Sequence, residues 1–401
     1  MNVQVALIDP LGQYGGNHYY TDQLARGLSR SGAEVTVYAH DGDVDLSPDR
    51  PYEYLEPFHG IYGDEPAAFR AARFLTCLAA TFAGIKRRGT KIVHVQMWTH
   101  DAREILQICL ARAMGKKVVV SAHEVNGWSS RRSSVVKTRE GADDAVGGTG
   151  TRRFKWVLAH ADAVVVHNRH SLDVLRARYQ FDIPIEVIPL PHVSHTSATL
   201  PDRTSARKQL NLPEDKTIFL FFGNCRHEKG LEIALHALSE FREHDDVLLV
   251  IAGKMKPREE AYFREIADTL GLGRSLRMDI GLISDDSAIE YFRAANAVIV
   301  PYRQVSESGV AITASTLGRA MLASDLPPLC EATEDGRLGL LFRNGDAHEL
   351  ASAMRRALSM KDELDVMGTE ARAKVLRERD PDAIGSKMVR LYRRTLRVGD
   401  G

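Results

Sequence analysis

The sequence predicts an α/β protein built from two Rossmann-like domains that face each other across a cleft. Three observations carry that prediction. Short runs rich in Val and Ile alternate with longer amphipathic stretches, the pattern of parallel strands joined by crossover helices. The series stops at a polar stretch, His192–Arg203, and starts again beyond it. The chain has 401 residues, 44% hydrophobic and 26% charged, enough to fill two packed cores.

In the first domain, residues 1–195, strands are expected at Val3–Ile8, Glu34–Ala39, Ile92–Gln96, Lys117–Ser121, Ala163–Val166 and Ile185–Ile188. Between the first two, Tyr19–Ser31 reads as an amphipathic helix ended by Gly32. In the second domain, residues 204–380, strands are expected at Ile218–Phe222, Leu248–Ala252, Leu276–Ile280, Ala297–Pro301 and Ala320–Ala323. Helices are expected near Gly230–Phe241, Arg258–Leu270, Ser287–Ala294 and Asp346–Leu358. A last helix, Pro381–Leu396, ends in the basic run MVRLYRRTLR; residues 381–401 either cross back to brace the first domain or present a solvated basic face. Ser129–Arg153 mixes Ser, Gly and both charge signs without periodicity and is expected to be a long mobile loop.

The 53 basic and 53 acidic residues cancel, so the whole chain offers no general attraction for nucleic acid. Cys77, Cys109, Cys225 and Cys330 lack the short paired spacings of a zinc cluster or disulfide scaffold, which suits a reducing cytoplasm. No basic leader followed by a long apolar stretch opens the chain, and no apolar run is uninterrupted for a membrane span. A cytoplasmic protein is expected. The helix Ala67–Arg88 mixes apolar residues with Arg70, Arg73, Lys86, Arg87 and Arg88; it is either a core-facing helix or a basic surface for peripheral contact with the inner face of the membrane.

Three loops hold the residue types that bind anions. The first, Asp9-Pro-Leu-Gly-Gln-Tyr-Gly-Gly-Asn17, puts Gly12, Gly15 and Gly16 between a strand and a helix, where backbone amides can approach a phosphate or sugar; a tight βα turn explains the glycines equally. The second, Phe221-Phe-Gly-Asn-Cys-Arg-His-Glu-Lys-Gly230, sets Arg226 and Lys229 at the top of a βα unit, where two cations suit a diphosphate. The third, Pro301–Val310, brings Ser308, Gly309 and Val310 to a helix start, a hydroxyl with free amides, while Glu307 could accept hydrogen bonds from a sugar or ribose. No metal cofactor is expected; Asp143-Asp144 and Asp245-Asp246 read as solvent-facing pairs.

Taken in order, these pieces resemble the retaining glycosyltransferases of family four, which have the GT-B fold. The resemblance covers nearly the whole chain: the glycine loop, the strand with His123 in Val-Val-Val-Ser-Ala-His-Glu, Phe-Gly-x-x-Arg-x-x-Lys-Gly, Pro-Tyr-Arg with Ser-Gly-Val, and Glu334–Phe342. It implies that Arg226 and Lys229 bind the donor diphosphate, with Gly223 in the same loop, and that Ser308, Gly309 and Val310 contact its phosphate-sugar region. It also implies that Gly15 and Gly16 approach donor or acceptor, and that His123 sits over the transferred sugar. The donor is then a UDP- or GDP-sugar. A sugar or lipid-linked acceptor would meet Asn17, Glu124, Asn126 and Trp128, as in polysaccharide or glycolipid biosynthesis.

The chain departs from the pattern in one place. Many members carry a spaced pair of glutamates; aligning on Ser-Gly-Val puts Val305 and Thr313 there, and counting from Glu307 puts Ser315 at the second. It is similar to a Ser-Gly-Val subgroup that also lacks the pair. Asn224 stands where an arginine is common, with Arg226 as its substitute. Two rival readings stay open: a sugar-phosphate synthase, and a non-catalytic nucleotide-sugar-binding relative.

Overall fold

The computed structural model describes residues 3–11, 18–41, 49–63, 65–98, 102–125, 149–192 and 200–397. They form two compact units. Unit 1 takes the described residues up to 125, then 149–192 and 378–397, and unit 2 takes 200–377.

Unit 1 is a seven-stranded parallel sheet. Its strands are β1 (Val3–Asp9), β2 (Ala33–His40), β3 (Glu53–Phe58), β4 (Ile92–Met97), β5 (Lys117–Ala122), β6 (Ala163–Val166) and β7 (Ile185–Val187), in the spatial order β3-β2-β1-β4-β5-β6-β7. The helices are α1 (His18–Arg30), α2 (Ala67–Arg87), α3 (Ala102–Ala113), α4 (Thr149–His160) and α5 (Arg169–Arg178). Parallel strands bury both faces, which is why they read as continuous apolar runs. Val3, Val5 and Leu7 of β1 join one core and Ala6 and Ile8 the other. The first of these cores is closed by a helix from far along the chain, Pro381–Arg397, through Ile384, Met388, Val389, Leu391, Tyr392 and Leu396. That helix lies against α1 at Gly27 and Gly385, where a Cβ on either glycine would collide with the other helix's backbone.

Unit 2 is a six-stranded parallel sheet. Its strands are β8 (Thr217–Phe222), β9 (Val247–Gly253), β10 (Leu276–Ile280), β11 (Ala297–Val300), β12 (Met321–Ser324) and β13 (Gly339–Phe342), ordered β10-β9-β8-β11-β12-β13. Its helices are α6 (Arg203–Gln209), α7 (Leu231–Leu238), α8 (Pro257–Thr269), α9 (Asp285–Ala294), α10 (Gly309–Thr316), α11 (Pro327–Thr333), α12 (Ala347–Ser359) and α13 (Lys361–Glu378); the closing helix of unit 1 is α14. Two side-chain clusters cover the two faces of the sheet.

The structure corrects the sequence reading at several elements. β3, β13 and α13 were not anticipated, and the tail of the expected loop, from Thr149 to Arg153, is the first turn of α4. The rest of that loop, residues 129–148, lies outside the described residues, as do Gly12, Gly15, Gly16, Asn17, Asn126, Trp128 and Asp143-Asp144. α2 is long and apolar enough to cross a membrane by length and composition, but Phe74, Cys77, Leu78, Phe82 and Ile85 are buried in the core of unit 1.

Candidate functional site

Open parallel sheets bind ligands beyond the carboxyl ends of their strands, where the strand order reverses. In unit 1 that point lies between β1 and β4, and in unit 2 between β8 and β11.

In unit 2 the chain leaves β8 at Gly223, whose φ of 106° suits glycine. Gly253, at the end of β9, abuts it closely enough that a Cβ there would collide with the Gly223 carbonyl. A 3-10 turn, His227–Lys229, then ends at Gly230 (φ 64°), where a Cβ would collide with the Pro301 carbonyl just past β11. This approach locks the two loops together. Arg303 N donates to Glu228 O at 2.9 Å, and Arg303 Nε donates to Glu232 Oε1 at 2.7 Å. Lys229 Nζ stands 3.7 Å from the centroid of the Tyr302 ring, a cation–π contact that fixes the ammonium without neutralising it. Arg226 Nη1 lies 3.4 Å from Glu228 Oε1.

The start of α10 lies beside this loop. A Cβ on Gly223 would fall 3.6 Å from Val310 Cγ2, ordinary van der Waals contact. Gly309 and Val310 supply the first amides of the helix, which have no intrahelical acceptor. Ser308 Oγ caps α10 by accepting Ala311 N at 3.1 Å, which leaves its O–H free to donate to a ligand. Glu307 Oε1 accepts Ser308 N at 3.2 Å, so a carboxylate already sits at the helix start. Burial pushes the Cys225 thiol up to about 12, leaving no thiolate nucleophile at neutral pH.

In unit 1, Trp98 follows β4 and donates Nε1–H to Asp9 Oδ1 at 3.2 Å, while Thr21 Oγ1 donates to Asp9 Oδ2 at 2.6 Å, binding β1, α1 and β4 at the reversal point. Trp98 stacks on His123 with centroids 3.4 Å apart and planes 9° from parallel. His123 is buried, and both ring nitrogens are engaged: Nε2 lies 2.8 Å from Gln96 Oε1 and Nδ1 lies 3.0 Å from His167 Nε2, whose Nδ1 is 3.0 Å from Ile188 O. The chain of bonds closes with neutral imidazoles only if Gln96 donates its amide N–H to His123 Nε2. His123 Nδ1–H then donates to His167 Nε2, and His167 Nδ1–H to Ile188 O. That orientation also employs the Gln96 amide nitrogen, which is otherwise buried without a partner among the described residues. Burial first, then repulsion from His167 and His94, holds His123 well below the usual histidine range. Behind it, His94 spans Tyr392 Oη (2.6 Å) and Ser121 Oγ (2.8 Å), and burial pushes it down to about 3. Glu124 follows His123, half-buried.

The structure therefore gathers Gly223, Arg226, Lys229, Ser308, Gly309 and Val310 at one reversal point and His123 at the other. Sequence reasoning missed Gly253, Tyr302, Trp98, Gln96 and His167. Of these, Gly253 carried a local signal as a glycine at the end of the apolar run VLLVIAG, and Tyr302 stood in the Pro-Tyr-Arg motif without a role assigned to it. Among the described residues no group of three or more His, Cys, Asp or Glu gathers as a metal site.

Two family models match the chain: "Glycosyltransferase Family 4" over residues 14–191 and "Glycosyl transferases group 1" over residues 202–374. A D-inositol 3-phosphate glycosyltransferase of Geodermatophilus obscurus is 25% identical over 378 residues, covering 88% of this chain and 79% of the relative. Sucrose-phosphate synthase from Thermosynechococcus elongatus has a similar structure, with TM-score 0.79, 23% identity, and coverage of 99% of this chain and 100% of that one. HepE of Anabaena, solved with UDP and glucose, gives TM-score 0.74 at 15% identity, covering 97% and 99%.

Proposed function

Since the chain belongs to the GT-B superfamily of group 1 and family 4 glycosyltransferases, enzymes that draw a sugar from a nucleotide-sugar donor, we propose that it is a retaining hexosyltransferase acting from a UDP- or GDP-sugar. The observation that carries this reading is the convergence of Arg226, Lys229 and the first amides of α10 at the β8/β11 reversal point.

In this reading the two cations and the amides hold the donor diphosphate and neutralise the charge it gains on leaving. The acceptor oxygen bonds to the anomeric carbon on the face from which the diphosphate departs. The carbon–phosphate-oxygen bond breaks, and a leaving phosphate oxygen takes the hydroxyl proton. The protein supplies orientation and charge without a metal. His123 enters as a neutral group whose Nε2 exchanges the Gln96 amide for a sugar hydroxyl, and Gly15 and Gly16 close on the donor. Glu307 leaves the Ser308 amide to meet a donor hydroxyl. Glu124, Asn17, Asn126 and Trp128 meet the acceptor.

The acceptor is a sugar or lipid-linked hydroxyl in polysaccharide or glycolipid assembly in the cytoplasm, with peripheral membrane contact through α2, whose outer face exposes Phe69 (69%) and Leu75 (54%) above Lys86 and Arg87. A second reading, a phosphorylated small acceptor, is favoured by the names of the inositol-phosphate and sucrose-phosphate relatives.

The test is a thermal-shift titration with UDP-, GDP-, ADP- and TDP-sugars, repeated with Arg226→Ala and Lys229→Ala. One nucleotide should stabilise the wild-type protein, and each variant should weaken the response about tenfold or more. No response to any nucleotide from a folded protein would refute the reading. Product stereochemistry by NMR then decides retention.

A further inference from the structure

Every exposed side chain of α14 from Lys387 to Arg397 is Lys or Arg: Lys387, Arg390, Arg393, Arg394 and Arg397. These five line one side of an open groove of about 530 Å³, whose other side is Glu186–Ile188 on and just beyond β7, the edge strand of the sheet. That volume suits a nucleotide-sized ligand. One carboxylate faces the row, Glu186 Oε1, 2.5 Å from Arg394 Nη2. The other four cations make no ion pair among the described residues.

The negative end of the helix dipole accounts for cations in the last turn, Arg394 and Arg397. Lys387 and Arg390 lie beyond its reach. In a chain whose 53 basic and 53 acidic residues cancel, five cations against one acid is a local excess, and like charges this close repel until an anion joins them.

We infer that the groove between β7 and α14 binds several phosphate groups at once. Lys387 and Arg397 stand about 15 Å apart along the helix, so a single phosphate reaches only part of the row. Four of the five cations are guanidiniums, whose paired N–H donors match phosphate oxygens. None of His123, Arg226, Lys229, Ser308, Gly309 or Val310 lines the groove, although the carbonyl of its Ile188 pairs with His167 behind His123. Two sources offer this chemistry, soluble polyphosphate and the headgroups of an anionic phospholipid surface.

The test uses the full chain carrying Arg226→Ala and Lys229→Ala, so that binding at the donor loop is not counted and the outcome does not depend on the sugar-transfer reading. Tripolyphosphate binding is measured by calorimetry, and binding to phosphatidylglycerol-rich against phosphatidylcholine vesicles by co-sedimentation. Arg390→Glu/Arg393→Glu is compared with Arg274→Glu/Lys361→Glu, an equal charge change on exposed residues of unit 2. The expected result is saturable binding of one probe, weakened about tenfold or more by the groove pair and unchanged by the unit 2 pair; the probe that binds names the source. Binding of neither probe, or equal losses with both pairs, overturns the inference. If the charge-reversed protein fails to fold, Arg390→Gln/Arg393→Gln carries the same comparison.

Discussion

Replacing Gly230 by alanine separates two costs that glycine removes at the donor loop. Gly230 and Gly271 have nearly the same left-handed backbone, φ 64° and 67°, in the same unit. At Gly271 an added Cβ meets nothing nearer than Arg242 Cδ at 4.0 Å, so Gly271→Ala reports backbone strain alone, about 1–2 kcal/mol. At Gly230 the same Cβ is driven into the Pro301 carbonyl, and the clash adds about 1–3 kcal/mol of overpacking, for a total of about 2–5 kcal/mol. Relief requires Pro301 and Tyr302 to move, and Tyr302 is the ring that holds the Lys229 ammonium. Gly230→Ala should therefore lose stability and nucleotide response together, whereas Gly271→Ala loses only stability. Urea unfolding of each variant, paired with the donor thermal-shift titration, checks both. Equal destabilisation by the two variants, or an intact nucleotide response in Gly230→Ala, would refute the coupling of the loops through this contact.

Gly385→Ala should lower the stability of unit 1 by about 1–3 kcal/mol, because its Cβ would displace α1 from α14; thermal unfolding with near-UV circular dichroism measures it. His94 has a folded pKa of about 3, below its unfolded value, so the unfolded chain binds more protons and stability falls as pH drops from about 6.5 toward 3. The slope from this group is up to about 1.4 kcal/mol per pH unit, and His94→Asn should flatten acid unfolding in that window relative to wild type. Turnover should survive exhaustive chelation with EDTA; a loss restored by a divalent ion would contradict metal-free transfer.

The strands with uninterrupted Val and Ile were legible because parallel sheets bury both of their faces. β3 was not, since Glu53, Glu56 and Pro57 place it on an edge where apolar continuity is not required. α13 hid for a related reason. It buries only Leu364, Gly368, Ala371 and Val375, too narrow and small a stripe to stand out. Arg226, Lys229 and the start of α10 could be found because each sits in a local strand–turn–helix signal. The partners of His123 could not. Gln96 and Trp98 come from β4 and its end and His167 from the end of β6, and only the sheet order brings them within hydrogen-bond or stacking distance. The occupied nitrogens of His123 are likewise a property of packing that residue type does not encode.

The route of α14 inverts the order in which the two units reach completion. The strands of unit 1 are all synthesised by Val187, yet Ile384, Met388 and Tyr392, which cover one face of its sheet, emerge about 200 residues later, after the whole of unit 2. At ribosomal speeds that interval is roughly 10–40 s. Throughout it, Val3, Val5, Leu7 and Leu28 lack the α14 side of their core, so the nascent sheet carries an incompletely covered apolar face that invites chaperone holding or premature association.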